Sequence, residues 1–255
     1  MLTDTKLREV FHFSFLDRLL KISDPDMYAL KGGVNLRFFF HSPRYSEDMD
    51  LDVLAGSVDT LRKNGYKILQ DGAFKRSLLT YGITDIEVND PAKAKQTETT
   101  QRFRFGLITT ANQRLPTKVE FSRRTNRIDN HVKEMVDPEI ARQYHRLSYL
   151  CNHYPGEDAV FQKIQALAGR PTTQARDVFD LGLLQAGGYA SSIKSNKNLT
   201  KELREKASEA LISLTFDDYK GHVVEFIDTD NREYYDSTST WEQLQETILE
   251  LLDYV

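Results

Sequence analysis

The stretch Lys31 to Val53, KGGVNLRFFFHSPRYSEDMDLDV, decides the reading of this chain. A glycine pair leads through a helix-like run and a Ser42-Pro43 turn into Arg44-Tyr45-Ser46-Glu47. Strict alternation follows: Asp48, Met49, Asp50, Leu51, Asp52, Val53. Residues two apart on a strand point to one face. Asp48, Asp50 and Asp52 therefore share a face, and Met49, Leu51 and Val53 share the other. Close carboxylates repel and shift each other's pKa unless a cation sits between them. An oxygen-preferring divalent ion, Mg²⁺ or Mn²⁺, is the natural partner. Upstream, a helix starting at Gly32-Gly33 offers free N–H groups and a positive dipole end to a phosphate.

An anion cradle followed by a metal-binding acidic strand is what nucleotidyl transfer requires. Each half has a plainer reading. A glycine pair marks many turns, and an acidic run is often a solvated face. D-x-D-x-D also opens calcium loops, but those need glycine at the sixth position, where Val53 stands.

The segment resembles the signature of the DNA polymerase β-like nucleotidyltransferase superfamily, a Gly-Gly or Gly-Ser followed by an Asp-x-Asp strand. The R-x-S-x-D-x-D form of Arg44, Ser46, Asp48 and Asp50 is similar to the AbiEii/AbiGii-type toxins, bacterial nucleotidyltransferases of phage-defence and toxin–antitoxin operons. In that pattern a third carboxylate comes from a later strand beside the Asp-x-Asp strand. Glu120, in KVEFS from Lys118 to Ser122, holds that place in the order of elements. Its plainer reading is a solvated strand face.

A second constellation lies in FQKIQALAGRPTTQARDVFDL, Phe161 to Leu181. Lys163 and Arg170 are seven apart, and Asp177 and Asp180 are three apart, so each pair shares a helix face. Read alone, these are ion pairs on a helical surface. The resemblance implies more: a Lys-containing helix and an Arg precede an Asp-x-x-Asp-Leu helix. It implies that Lys163 contacts a nucleoside triphosphate and that one of the two aspartates, Asp177 or Asp180, works in the site. We take Asp177.

Composition bounds these readings. Apolar residues at 40% and aromatics at 11% of 255 suit a folded protein with a sizeable core. A net charge of −4 argues against a chain coated in basic charge for nucleic acid, though not against a local groove. The clusters Arg102/Arg104 and Arg123/Arg124/Arg127 read as solvated surface. One cysteine, Cys151, allows no internal disulfide, suits a reducing cytoplasm and reads as a buried apolar residue. The N-terminal MLTDTKLREVFHF lacks the pattern of a signal peptide, and no run is long enough to span a membrane. No P-loop, nucleophile elbow or zinc spacing of histidines occurs.

The pattern along the chain predicts helices over Leu7–Ile22, Gly33–Phe40 and Ser57–Leu69, then strands from Phe74 to Arg123, with a polar loop over Asp90–Glu98. After Pro155 it turns mainly helical. The expected fold is α+β: a polymerase β-like nucleotidyltransferase mixed sheet with flanking helices over residues 1–154, followed by a mainly helical domain over residues 155–255. The expected activity is metal-dependent transfer of a nucleoside monophosphate from an NTP to an acceptor, with a tRNA 3′ end first in line. Asp48, Asp50, Lys163 and Asp177 are the candidate catalytic residues. Gly32, Gly33, Arg44, Ser46 and Lys163 are assigned to the nucleotide, and Asp48, Asp50 and Glu120 to the metal. A cognate antitoxin is implied by the resemblance alone. The alternatives are a transferase acting on a protein or an aminoglycoside-like small molecule, and a nonenzymatic cation-binding module.

Overall fold

The computed structural model describes residues 2–54, 57–89, 97, 99–123, 130–191, 193 and 196–254. The polar stretch at 90–98, except Thr97, and Arg124 and Arg127 of the basic cluster lie outside them. Two compact units form: Met1–Phe39 with Tyr45–Tyr154, and Phe40–Arg44 with Pro155–Val255. The short segment Phe40–Arg44 thus belongs with the second unit, which its place in the sequence does not suggest.

The first unit is built on a seven-stranded mixed sheet of order β3-β4-β5-β2-β1-β7-β6. Its strands are β1 (Tyr28–Lys31), β2 (Asp48–Val53), β3 (Ile83–Val88), β4 (Thr100–Thr109), β5 (Arg114–Ser122), β6 (Val132–Met135) and β7 (Leu150–His153). The alternation in β2 is used as the sequence implies. Met49 and Leu51 are wholly buried on one face, where Val119, Phe121, Phe103 and Phe105 join them. Helix α1 (Asp4–Ile22) covers that face, with the Phe11 ring 5.0 Å from Phe105. Burial of several aromatic side chains here, each worth roughly 1.5–3 kcal/mol, holds the sheet flat against the helix. The acidic residues of β2 are left on the opposite face.

Helix α2 (Gly32–Phe39) starts directly after Lys31, the last residue of β1, so the glycine pair sits at a strand-to-helix junction. Helix α3 (Val58–Leu69) is capped by Ser57, whose Oγ accepts from the Thr60 amide at 3.2 Å. The strands expected from Phe74 onward begin later. Asp71 accepts from the Ala73 amide at 2.7 Å and starts helix α4 (Gly72–Leu78), which buries Phe74 and Leu78. Helix α5 (Pro138–Gln143) stands between β6 and β7. These two strands carry little sequence signal: each has four residues, and β6 is mostly exposed.

The second unit contains helices α6 (Gly156–Gly169), α7 (Ala175–Ala186), α8 (Lys201–Ile212), α9 (Phe216–His222), α10 (Thr229–Tyr235) and α11 (Thr238–Tyr254). Trp241 of α11 stacks on Tyr219 of α9 with centroids 4.9 Å apart. Helix α9 is fixed by a capping box between Thr215 and Asp218. Both α9 and α10 were missed from sequence because seven residues are too few to show a helical period. Among the described residues, no helix is long and apolar enough to cross a membrane.

Candidate active site

Register places the candidate carboxylates side by side. Strand β2 runs parallel to β5 with Asp48 beside Lys118, Asp50 beside Glu120 and Asp52 beside Ser122. On its other edge, β2 is antiparallel to β1, with Lys31 opposite Asp50. Strand β4 adds Arg102 opposite Glu120. Side chains directly opposite on neighbouring strands share a face. Asp48, Asp50 and Glu120 therefore stand among Lys31, Lys118 and Arg102 on one patch of the sheet.

Gly32 brings the glycine pair onto this patch. Its φ is +71°, a conformation that side chains rarely tolerate. A Cβ at Gly32 would lie 3.3 Å from Asp50 Oδ2. Glycine suits this position for the backbone turn, and a Cβ here would also press on the Asp50 carboxylate. The N-terminal turn of α2, where Gly33 follows, abuts the acidic strand directly.

Each carboxylate has a different electrostatic setting. Burial raises the Asp50 carboxyl above its ordinary value; Lys118 and Lys31 pull it down, Glu120 and Asp48 push it up, and the upward sum prevails. Burial alone would also raise Glu120, but its hydrogen bond to Arg102 and the charges of Arg102, Lys118 and Lys31 hold it below its usual value. The Arg102 Nε lies 2.5 Å from Glu120 Oε2, and Lys118 Nζ lies 3.1 Å from Asp48 Oδ2. Arg102 is therefore no ordinary solvated arginine. Asp52, 4% exposed, pairs with Lys31 and accepts the Tyr154 hydroxyl at 2.8 Å. It is an anchored ion-pair residue.

Asp48, Asp50 and Glu120 lie on one sheet face and offer the hard oxygen atoms that divalent cations prefer. Side-chain cations share the patch: among the described residues, no three His, Cys, Asp or Glu side chains stand grouped as a ready metal site. Ser46, assigned to the nucleotide, donates its hydroxyl to the Asp48 carbonyl at 2.9 Å and fixes the start of β2.

The second constellation is buried. Lys163 of α6 reaches Asp177 at 3.1 Å and Asp180 at 2.5 Å, both on α7. Arg170 adds Asp177 at 2.5 Å, and Arg44 Nη2 lies 3.1 Å from each oxygen of Asp180. Asp177 and Asp180 are wholly buried, and Lys163 is 8% exposed. Surface ion pairing is thus the wrong description. Burial would raise Asp177, but Lys163 and Arg170 outweigh it and hold its carboxyl low. Lys163, Arg170 and Arg44 thus converge on Asp177 and Asp180. Arg44, assigned to the nucleotide, grips Asp180 within the second unit.

Sequence reasoning missed Lys31, Lys118 and Tyr154. The cross-strand register that gives them their partners leaves no local signal. Cys151 is buried and its thiol is pushed up to about 12 by burial, which leaves it unreactive at neutral pH.

Glu120 gives this arrangement a measurable consequence. Glu120→Gln removes the Arg102 ion pair as well as a repelling charge. Because Glu120 is held low, its stabilising contribution is present above its unfolded pKa and lost as pH falls through the folded value. The metal-free variant is expected to melt below the parent at pH 7, with the difference vanishing in acid. If Glu120 also binds the metal, Mg²⁺-dependent stabilisation falls in the variant. Thermal melts at two pH values, with and without Mg²⁺, check both.

The fold itself is that of nucleotidyltransferase toxins. The crystal structure of JHP933 from Helicobacter pylori matches with a TM-score of 0.53 at 19% identity, covering 100% of this chain and 96% of that one. MenT4, a nucleotidyltransferase toxin from Mycobacterium tuberculosis, matches with a TM-score of 0.57 at 16% identity, covering 99% and 85%. No curated protein matches the sequence. The family model described as "Nucleotidyl transferase AbiEii toxin, Type IV TA system" matches residues 14–252, and the chain belongs to that family. It is a nucleotidyltransferase toxin, whose family membership implies an NTP substrate and an antitoxin partner.

Proposed function

We propose that this enzyme moves a nucleoside monophosphate from an NTP to the 3′ end of an RNA, with tRNA as the first candidate, in the bacterial cytoplasm. The observation that carries the reading is the approach of Gly32 to Asp50 Oδ2, which joins an anion-binding helix start to an acidic strand. Asp48, Asp50 and Glu120 would hold Mg²⁺ or Mn²⁺, and a bound ion supplies Lewis-acid charge to the phosphoryl oxygens. The Gly32-Gly33 turn receives phosphate oxygens on backbone N–H groups. Lys163 supplies a compact cationic charge to the triphosphate, and Asp177 orients Lys163. Arg44 and Ser46 act through position, Arg44 on Asp180 and Ser46 on the Asp48 carbonyl.

Incubation with α-labelled NTPs, Mg²⁺ and total cellular RNA or protein tests this. Label on RNA 3′ ends is expected. Label on protein or on an aminoglycoside moves the acceptor assignment to those classes. No label with any acceptor overturns the reading.

Lys163→Ala is expected to cut turnover about tenfold or more, since a charge-assisted phosphate contact is worth roughly 1.5–3 kcal/mol. Nucleotide titration and initial rates, corrected for the folded fraction, check this. Unchanged values would confine Lys163 to the buried ion network.

A further inference from the structure

Away from the acidic patch, the first unit carries a cavity of about 220 Å³ between α1, α4 and the chain after α5. Ser14, Asp17, Arg18, Lys21, Phe74 and Arg146 are among its lining residues. Three are cations and one is a carboxylate. Asp17 is taken by Lys21 at 2.8 Å, and Arg18 reaches Asp71 at 2.8 Å. Arg146 differs from both. Its Nε donates to the Tyr81 hydroxyl at 2.9 Å, its guanidinium lies 5.7 Å from that ring's centre, and among the described residues it meets no carboxylate.

Arg146 is held in place from several sides. Its amide bonds to the Ala141 carbonyl at 2.9 Å, and the preceding His145 takes a left-handed φ of 51°. The Tyr81 hydroxyl in turn donates to the Tyr144 carbonyl at 2.7 Å. A guanidinium fixed through Nε keeps its terminal fork for a planar or tetrahedral anion. Ser14 supplies a second observation. It is 7% exposed, and its Oγ has no hydrogen-bond partner although buried polar atoms nearly always have one.

Size narrows the class. Sites for drug-sized ligands occupy ~300–1,000 Å³, and a water's share of liquid is ~30 Å³. The cavity suits a small anion and not a whole nucleotide. We propose that it is a second anion site, taking orthophosphate, pyrophosphate or the phosphate of a small monoester between Arg146, Arg18 and Lys21. Helix α1 carries Asp17, Arg18 and Lys21 of this cavity and covers the apolar face of the sheet, whereas Asp48, Asp50 and Glu120 stand on the opposite face. The site is thus separate from the proposed catalytic face, and it stands or falls independently of that reading.

The test is equilibrium dialysis of the full chain with labelled inorganic phosphate, in chelator, with melting curves in parallel. One phosphate per chain is expected, and it should raise the melting temperature. Arg146→Ala should weaken binding about tenfold or more, and Arg18→Ala should weaken it as well. Asp50→Asn should leave it intact. Competition by pyrophosphate alone points to an inorganic anion, and competition by glycerol phosphate points to a monoester; both support the site. Absence of binding in the parent overturns the proposal. So does binding that survives Arg146→Ala and Arg18→Ala in folded protein, or binding abolished by Asp50→Asn.

Discussion

Asp50→Asn is expected to abolish nucleotidyl transfer while leaving the metal-free protein at least as stable as the parent. The two effects have opposite sign because the carboxylate serves chemistry at the expense of the fold. Asp50 is half-buried, and desolvation raises its carboxyl above the ordinary value in spite of Lys118 and Lys31. A group whose folded pKa is raised favours the fold below its unfolded pKa, and that contribution is lost as pH rises through the folded value. At pH 7 the parent therefore carries an unfavourable charge that asparagine lacks. The gain in melting temperature should be small at pH 4 and larger at pH 7. Activity should move the other way. A metal-bound carboxylate takes part in several kcal/mol of transition-state stabilisation, and each ~1.4 kcal/mol is tenfold in rate, so a loss of about a hundredfold or more is expected. Asp48→Asn should lose activity similarly. Chelator-treated melts at both pH values and initial rates with saturating Mg²⁺ provide the check. Parental rates in Asp50→Asn would remove it from the site, and a lower melting point at pH 7 would contradict the electrostatic account. Asp52→Asn is the useful contrast: it should cost stability through Lys31 and Tyr154 more than it costs the chemistry.

What could be read from sequence follows the range of the interactions involved. The period-two run of β2 and the glycine pair at the head of α2 are local patterns, and the carboxylates share the face that the alternation assigns them. Their neighbours were not legible. Lys118 stands beside Asp48, and Arg102 opposite Glu120, only through strand register, which depends on how β4, β5 and β2 align. The alternation around Phe103 and Phe105 did show that Arg102 and Arg104 leave the apolar face. It could not show that Glu120 waits across the strand. The basic reading of Arg102 as solvent-facing failed for that reason. In the second unit, the helix periods correctly put Asp177 and Asp180 on one face, yet burial was invisible. The seven-residue helices and the four-residue strands β6 and β7 were lost because none is long enough to display its period.

The largest effect on stability is expected from Asp180→Ala. Arg44 meets Asp180 across 136 residues of sequence, with Nη2 3.1 Å from each carboxylate oxygen. Lys163 approaches the same carboxylate at 2.5 Å. Asp180 is wholly buried, and the Arg44 side chain is only 4% exposed. Forming such a network gains little over an apolar core, because desolvation offsets the attraction. Breaking it by removing one member is another matter, since Arg44 and Lys163 lose the buried carboxylate they share, at a cost of about 3–5 kcal/mol. Against a total stability of roughly 5–15 kcal/mol, the second unit should be close to unfolding. Asp180→Asn retains hydrogen-bond acceptance and should cost less. Asp177→Asn makes the third comparison. Its carboxyl is held low by Lys163 and Arg170 against burial, so its contribution is present above the unfolded pKa and disappears as pH falls through the folded one. The Asp177→Asn protein should therefore differ from the parent at pH 7 and converge with it in acid. Urea denaturation followed by the fluorescence of Trp241, the only tryptophan in the chain and part of the second unit, reads these differences directly. If Asp180→Ala unfolds at the parent's urea midpoint, the Asp180 ion pairs with Arg44 and Lys163 contribute no net stability.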